Sequence, residues 1–216
     1  MNDYRNSNSY LLDAGNDKLV CIDCGEVDAL RLMDFIESTQ KELVAIFLTH
    51  EHPDHIAGAD SLVQRTDAIL YCSPACAKNL RDPKKNLSRY SAEIPDIVVA
   101  STCELLLDYE KITIDDLEFQ TFFTPGHSPG SITICVNESH WFTGDTVLNE
   151  KTALGLPHSN IQDYVQSITI LSELIQSEDI IFPGHGKEFA FDYSFFGQRI
   201  VGNSKELKQR LNFLFK

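Results

Sequence analysis

The feature that most constrains this chain is the run Leu48-Thr49-His50-Glu51-His52-Pro53-Asp54-His55, which places three of its seven histidines and an aspartate within six consecutive residues. The apolar segment Leu43 to Leu48 ahead of it reads as a buried strand, so His50 and His52 leave its end two residues apart and project to one side. Pro53 stops the strand and turns the chain, presenting Asp54 and His55 at the start of a helix expected from about Ile56 to Arg65. One such histidine would be an ordinary polar turn residue. Four imidazole and carboxylate groups on one turn need partners, and a metal ion satisfies them all at once. The turn would nearly fill one tetrahedral ion, or serve two ions if distant residues complete them.

A chain of 216 residues, 43% of them hydrophobic, suits one domain over residues 1–216 with a substantial core. Eighteen Lys and Arg against 32 Asp and Glu leave a net charge of −14, which disfavours polyanions and so nucleic acid as a partner. The basic cluster Lys78, Arg81, Lys84, Lys85 and Arg89 reads as a solvated face. No stretch reaches the roughly eighteen apolar residues that would span a bilayer, so a soluble, cytoplasmic protein is expected. Six cysteines at 21, 24, 72, 76, 103 and 135 scatter over strand-like segments and read as reduced thiols acting as small hydrophobes.

In the first half, strands are expected at Ser9 to Asp13 and Leu19 to Asp23, turned by Gly15-Asn16-Asp17. A helix over about Val27 to Ser38, the strand at Leu43 to Leu48, the helix from Ile56 and a strand at Ala68 to Cys72 follow. Arg81 to Ile97, polar and carrying Pro83 and Pro95, reads as a surface excursion that could flank a substrate entrance. A meander is expected next, over Glu104 to Tyr109, Lys111 to Ile114, Leu117 to Phe123, Ser131 to Val136 and His140 to Phe142. Asn160 to Gln176 has helical spacing, followed by a strand at Ile180 to Phe182 and a helix at Lys205 to Phe215. Helix and strand in both halves suggest two sheets packed face to face with helices outside, an αββα sandwich.

Further ligand types stand at other strand ends. His127 sits in the tight loop Thr124-Pro125-Gly126-His127-Ser128-Pro129-Gly130-Ser131, Asp145 follows Phe142-Thr143-Gly144, His185 follows Pro183-Gly184, and Asp23 ends an early strand. Each alone is an ordinary turn former. In this order the set resembles the metallo-β-lactamase superfamily, whose signature runs Asp, then His-x-His-x-Asp-His, then His, Asp and His at strand ends. The resemblance spans nearly the whole chain. It implies the αββα fold and two divalent metal ions, zinc first, with iron or manganese acceptable to the same donors. It implies His50, His52 and His127 on the first ion, Asp54, His55 and His185 on the second, Asp145 bridging, and Asp23 behind the ligands.

What the resemblance implies chemically is hydrolysis by a metal-bridging hydroxide, with Asp54 and Asp145 as the catalytic carboxylates; Ser128 and the cysteines are not nucleophiles. True β-lactamases of the superfamily lack the bridging aspartate, the flavin-linked diiron branch replaces the second histidine of the turn, and the nuclease branch brings basic surfaces. The glyoxalase-II-like thioester and ester hydrolases are the most similar group, acting on a small-molecule substrate. The chain departs from them over Thr146 to His158, where Lys151 and His158 are candidate substrate contacts. Two other readings stay open: a mononuclear iron persulfide dioxygenase, and a metal-binding regulatory protein without turnover. His140 beside Trp141 reads as structural, the aromatic stretch Phe189, Phe191, Tyr193, Phe195 and Phe196 as core packing, and the protein as a monomer or homodimer.

Overall fold

The structure, a computed structural model, describes residues 7–149 and 151–192. Strands β1 (Tyr10–Gly15) and β2 (Lys18–Ile22) form the expected hairpin. Asn16 and Asp17 turn it with φ of 48° and 57°, a region these two residue types tolerate. A short 3-10 turn precedes α1 (Leu30–Thr39), and β3 (Glu42–Phe47) follows. Next come α2 (Pro53–Ile56), α3 (Ala59–Thr66), β4 (Ile69–Cys72), α4 (Pro74–Asn79) and β5 (Cys103–Leu105). The five strands make one sheet in sequence order, with β2 to β5 mutually parallel.

The second half contributes β6 (Lys111–Ile114), β7 (Leu117–Phe123), β8 (Ile132–Val136) and β9 (His140–Gly144). It continues with α5 (Ile161–Leu174), β10 (Ile180–Pro183) and β11 (Phe189–Ala190). These strands form a second sheet of order β11-β10-β9-β8-β7-β6, in which β10 lies parallel to β9 and every other pair is antiparallel. Asn160 caps α5, its side chain accepting from the backbone N–H groups of Gln162 and Asp163.

Three apolar layers hold the sandwich together. Met33, Ile36 and Leu62 of the helices pack on Leu43, Ile46 and Leu70 outside the first sheet. Val20, Ile22, Ala45 and Phe47 face Phe119, Ile132, Ile134 and Phe142 between the sheets. Tyr164, Ile168 and Leu171 of α5 cover Phe122, Trp141 and Ile181 outside the second. Strand β3 therefore buries both faces, which explains its uninterrupted apolar run. Full burial of each such Ile, Leu or Phe side chain contributes roughly 1.5–3 kcal/mol. The cysteines are free thiols, five of them buried.

The structure corrects several sequence-based expectations. The helix expected from Ile56 begins at Pro53, where a missing N–H costs nothing, and breaks before Ala59. Gly58 causes the break by passing close under the exit of β2: its N–H bonds the Cys24 carbonyl at 2.8 Å, and a Cβ there would lie 2.6 Å from the Glu26 carbonyl oxygen. The segment expected to open the meander instead joins the first sheet, with Cys103 beside Leu70 of β4. Its alternation suits either sheet, so pattern alone does not decide. The two-residue β11 is too short to leave a periodic signal. The excursion at 81–97 folds back on α4, Asn86 donating to the Ile97 carbonyl at 2.8 Å and Val99 N–H to that of Leu80 at 3.1 Å. The helix expected at Lys205 to Phe215, and Tyr193, Phe195 and Phe196, lie outside the described residues.

Candidate metal centre

The chemistry-bearing side chains gather at one edge of the two sheets. Strand β2 exits into Asp23, β3 into Thr49 and His50, and α2 carries Asp54 and His55 in its first turn. The β7–β8 loop brings His127, β9 exits into Asp145 and β10 into His185. Parallel pairing of β9 and β10, which sets Pro183 beside Gly144, lays the last two side by side. Asp54, His55 and Asp145 are at most 9% exposed, as are the other three histidines apart from His185. His185, with 24% of its side chain exposed, forms the open face of the cluster.

Among the described residues three overlapping trios have ligand atoms within 4.8 Å of one another: His50, His52 and His127; His50, His55 and Asp145; and Asp54, His55 and His185. Asp145 stands where they meet. Its Oδ2 lies 3.4 Å from Nε2 of both His127 and His185, and its Oδ1 lies 3.5 Å from Nε2 of His55. Asp54 Oδ2 faces His185 Nε2 at 3.3 Å. On the opposite side, His52 Nδ1 and His127 Nε2 converge to 2.9 Å.

The outer hydrogen bonds determine which nitrogens face inward. Asp23 Oδ1 accepts from Thr49 N–H at 2.7 Å, and its Oδ2 accepts from the Thr49 hydroxyl at 2.7 Å. That hydroxyl has spent its proton, so at 3.1 Å it accepts from His50 Nδ1 and leaves the His50 Nε2 lone pair bare. Asp23 Oδ2 also accepts from His55 Nδ1 at 2.8 Å, which makes Nε2 the nitrogen that His55 turns toward the cluster. His127 donates Nδ1–H to the Ala153 carbonyl at 2.9 Å, which turns its Nε2 toward the cluster.

Electrostatics in the metal-free chain reflect this crowding. Burial drives the His50 pKa well below the ordinary histidine value, with His55 and His52 adding repulsion. Burial likewise lowers His52 to about 3, reinforced by His127. For His55 burial pulls down, but Asp23, Asp145 and Asp54 overcome it and raise the pKa to about 9. His185, opposed by burial, is raised to about 10 by hydrogen bonds to Asp145 and Asp54. Burial would raise Asp145, yet His55, His185 and His127 hold it well below the carboxylate range.

These donors fit divalent cations. Among the described residues His50 Nε2, His55 Nε2 and Asp145 Oδ1 are buried without a hydrogen-bond partner, a costly condition that a cation among them would relieve. Neutral imidazoles and ionised carboxylates are the donor set that zinc, iron and manganese share. Two cations would also take over the charge balance that protons on His55 and His185 supply in their absence.

Other residues proposed from sequence lie elsewhere. Lys151 and His158 are both exposed, and the segment around them reaches the cluster through other groups: the Ala153 carbonyl and the Ser159 hydroxyl, which donates to the His127 carbonyl at 2.8 Å. His140 is exposed and stacks on Phe182. Sequence reasoning passed over Thr49, Ala153 and Ser159; a backbone carbonyl carries no sequence signal at all. It also passed over the N-terminal segment, where the Ser7 hydroxyl donates to the Asp54 carbonyl and Asn8 N–H to that of Gly184 at 2.7 Å.

The αββα sandwich thus lines buried histidines and carboxylates up along one sheet edge as a candidate metal centre. The chain belongs to the metallo-beta-lactamase superfamily, whose family model matches residues 2–185. It is 27% identical to a Beta-lactamase-like protein 2 homolog of Drosophila melanogaster, over 83% of this chain and 58% of that protein. A probable metallo-hydrolase of Streptococcus pyogenes serotype M6 is 30% identical over 86% of this chain and 82% of its own length. The Hydroxyacylglutathione hydrolase of Bdellovibrio bacteriovorus is 31% identical over 63% of this chain and 47% of its length. The chain thus spans about half of the fly and Bdellovibrio proteins. Among solved structures, the BLEG-1 B3 metallo-beta-lactamase superposes with a TM-score of 0.78 at 29% identity, covering 85% of this chain and 88% of that one. Members of the superfamily bind divalent metal ions. No helix among the described residues is long and apolar enough to cross a membrane.

Proposed function

We propose that the chain is a dinuclear metal-dependent hydrolase that cleaves a thioester, ester or lactone of a small molecule. One observation carries this reading: the Asp145 carboxylate is shared, one oxygen facing His127 and His185 and the other His55. A carboxylate so placed suits two cations better than one. His50, His52 and His127 would hold the first, Asp54, His55 and His185 the second, and Asp145 would bridge them. Likeness to a hydroxyacylglutathione hydrolase supports the thioester class.

Divalent ions held by these residues would supply a water of lowered pKa and polarisation of a carbonyl oxygen. The remaining work falls to the chain. Asp23 keeps both His50 and His55 in the tautomer that presents a lone pair inward. Burial of the other ligands would direct substrate to the open His185 side, where a carboxylate oxygen of Asp54 could pass a proton toward the leaving group. Lys151 and His158, on the exposed segment beside the His127 clasp, would contact the substrate's distal part.

The test is metal content by elemental mass spectrometry on protein purified without added metal, read with turnover of thioesters, lactones, a β-lactam and glutathione persulfide. Near two zinc ions per chain with thioester or ester turnover supports the proposal. One iron with oxygen consumption on the persulfide refutes it in favour of a dioxygenase. Metal without turnover on any substrate class would favour a regulatory role. Replacing Lys151 and His158 together should raise KM with little change in kcat.

A further inference from the structure

Glu51 separates His50 from His52, and its side chain turns away from theirs, as alternation along an extended segment requires. It is fully buried, yet among the described residues no cation pairs with it. Its carboxylate is held by two neutral donors from different parts of the chain. Oε1 accepts from the Asn79 side-chain amide at 2.8 Å, at the end of α4, and Oε2 accepts from the Ser128 hydroxyl at 2.9 Å. Ser131 Oγ, 2.9 Å from that hydroxyl and 3.2 Å from Ser128 N, closes the loop on itself. The fit is tight: a Cβ on Gly130 would stand 2.3 Å from Glu51 Oε2 and 2.7 Å from the Cys76 Cα.

Glu51 adjoins two histidines of the first trio in sequence, and Ser128 adjoins the third, His127. Their hydrogen bond therefore fixes the loop to the turn one residue away from every ligand in that trio. We propose that Glu51 is a positioning residue that sets the approach of His127 to His50 and His52, and with it the affinity of the first metal position. This rests on the metal-centre reading above. The trio of the second ion, Asp54, His55 and His185, has no part in the Glu51 network, so the effect is confined to one position. The loop keeps other anchors, Ile132 N–H to the Thr49 carbonyl at 2.8 Å, Ser73 to the Gly130 carbonyl at 2.8 Å and Asn160 N–H to the Gly126 carbonyl at 2.8 Å. The chain can therefore fold without Glu51 while losing the last adjustment of His127.

The experiment is a cobalt(II) titration of the full chain, following both the affinity of each binding step and the visible absorption that reports coordination. A His185→Ala background leaves the first trio to be read alone. Glu51→Ala should weaken cobalt at the first position by up to about 10–100-fold, the range for removing a partner bonded directly to a ligand, and alter its absorption. The second position should keep its affinity. Glu51→Gln should restore most of the loss, because Asn79 can rotate its amide to accept from the new one while Ser128 still finds an oxygen. If Glu51→Ala does not fold, Ser128→Ala removes the same hydrogen bond from the other side and should give the same selective loss. Unchanged first-position binding in Glu51→Ala, or equal weakening at both positions alongside a matching drop in metal-free Tm, would overturn the proposal. A wild type that takes up no cobalt would sink the metal-centre reading, and the role of Glu51 with it.

Discussion

Replacing Asp23 with asparagine separates the two jobs this side chain does, filling space and fixing proton positions. Asp23 has a φ of 58°, in the left-handed region where asparagine is among the best-tolerated residues, so the substitution leaves the backbone unstrained. Its shape is also kept. The hydrogen bonds are not. If the new amide oxygen accepts from Thr49 N–H, as Oδ1 does at 2.7 Å, then an NH2 group takes the place of Oδ2. That position accepts from both the Thr49 hydroxyl and His55 Nδ1, at 2.7 and 2.8 Å. His55 must then give up its Nδ1 proton and keep the one on Nε2, pointing it into the metal site. The flipped amide is no better, since it sets NH2 against Thr49 N–H. A buried hydrogen bond to a charged group is worth about 1.5–3 kcal/mol, so the metal-free protein should lose about that much or slightly more. For a chain of this size 1 kcal/mol corresponds to roughly 2–4 °C, which puts the fall in Tm at about 3–12 °C. Zinc affinity at the position served by His55 should drop about 10–100-fold. Calorimetric unfolding with and without metal, together with zinc titration, measures both. An Asp23→Asn variant with wild-type zinc affinity would refute the tautomer argument, whatever happened to its Tm.

Gly184 should not accept a side chain: a Cβ there would lie 2.2 Å from Asp145 Oδ1 and 2.8 Å from His55 Cε1. Gly184→Ala is expected to cost about 1–3 kcal/mol of stability and to displace the shared carboxylate, seen as a loss of bound metal by elemental analysis. Without metal, stability should fall as pH rises above neutrality. Protonated His55 and His185 contribute fully below about pH 6.5, and the contribution is lost as pH climbs through their folded values of about 9 and about 10. Below pH 6.5 the lowered pKa of His52, about 3, works the other way by favouring the unfolded chain, so metal-free Tm should peak near neutrality. Zinc binding at pH 7.5 should release protons, about two per chain, measurable as a buffer-dependent binding enthalpy. Constant enthalpy across buffers would count against charged His55 and His185.

The contrast between what the sequence revealed and what it concealed follows from how each kind of information is written in a chain. His50, His52, Asp54 and His55 stand on one turn, and His127, Asp145 and His185 each follow a short apolar strand, so donor type and strand end together pointed to one edge of a sandwich. Boundaries were less legible. Gly58 breaks a helix whose spacing continues through it, because the break comes from the backbone of Glu26 and not from the helix itself. Cys103–Leu105 has the pattern of a strand but gives no indication of which sheet it joins.

The outer bonds of the centre were the least legible, and they decide whether donors brought together can bind. Thr49 looks like any residue at the end of a strand, yet its hydroxyl is a donor to Asp23 and so an acceptor for His50. The Ala153 carbonyl belongs to the segment where side chains Lys151 and His158 attracted the functional reading; the group that touches His127 is backbone. The same Asp23 oxygen serves Thr49 and His55, so His50, among the proposed ligands of the first ion, and His55, among those of the second, depend on one carboxylate. Loss of that charge should therefore disturb both positions, the His55 side directly and the His50 side through a hydroxyl whose proton must find another acceptor. Loss of Glu51 should disturb only the first. Comparing metal loading in the two variants distinguishes a centre built as one unit from one assembled as two ion sites with separate supports.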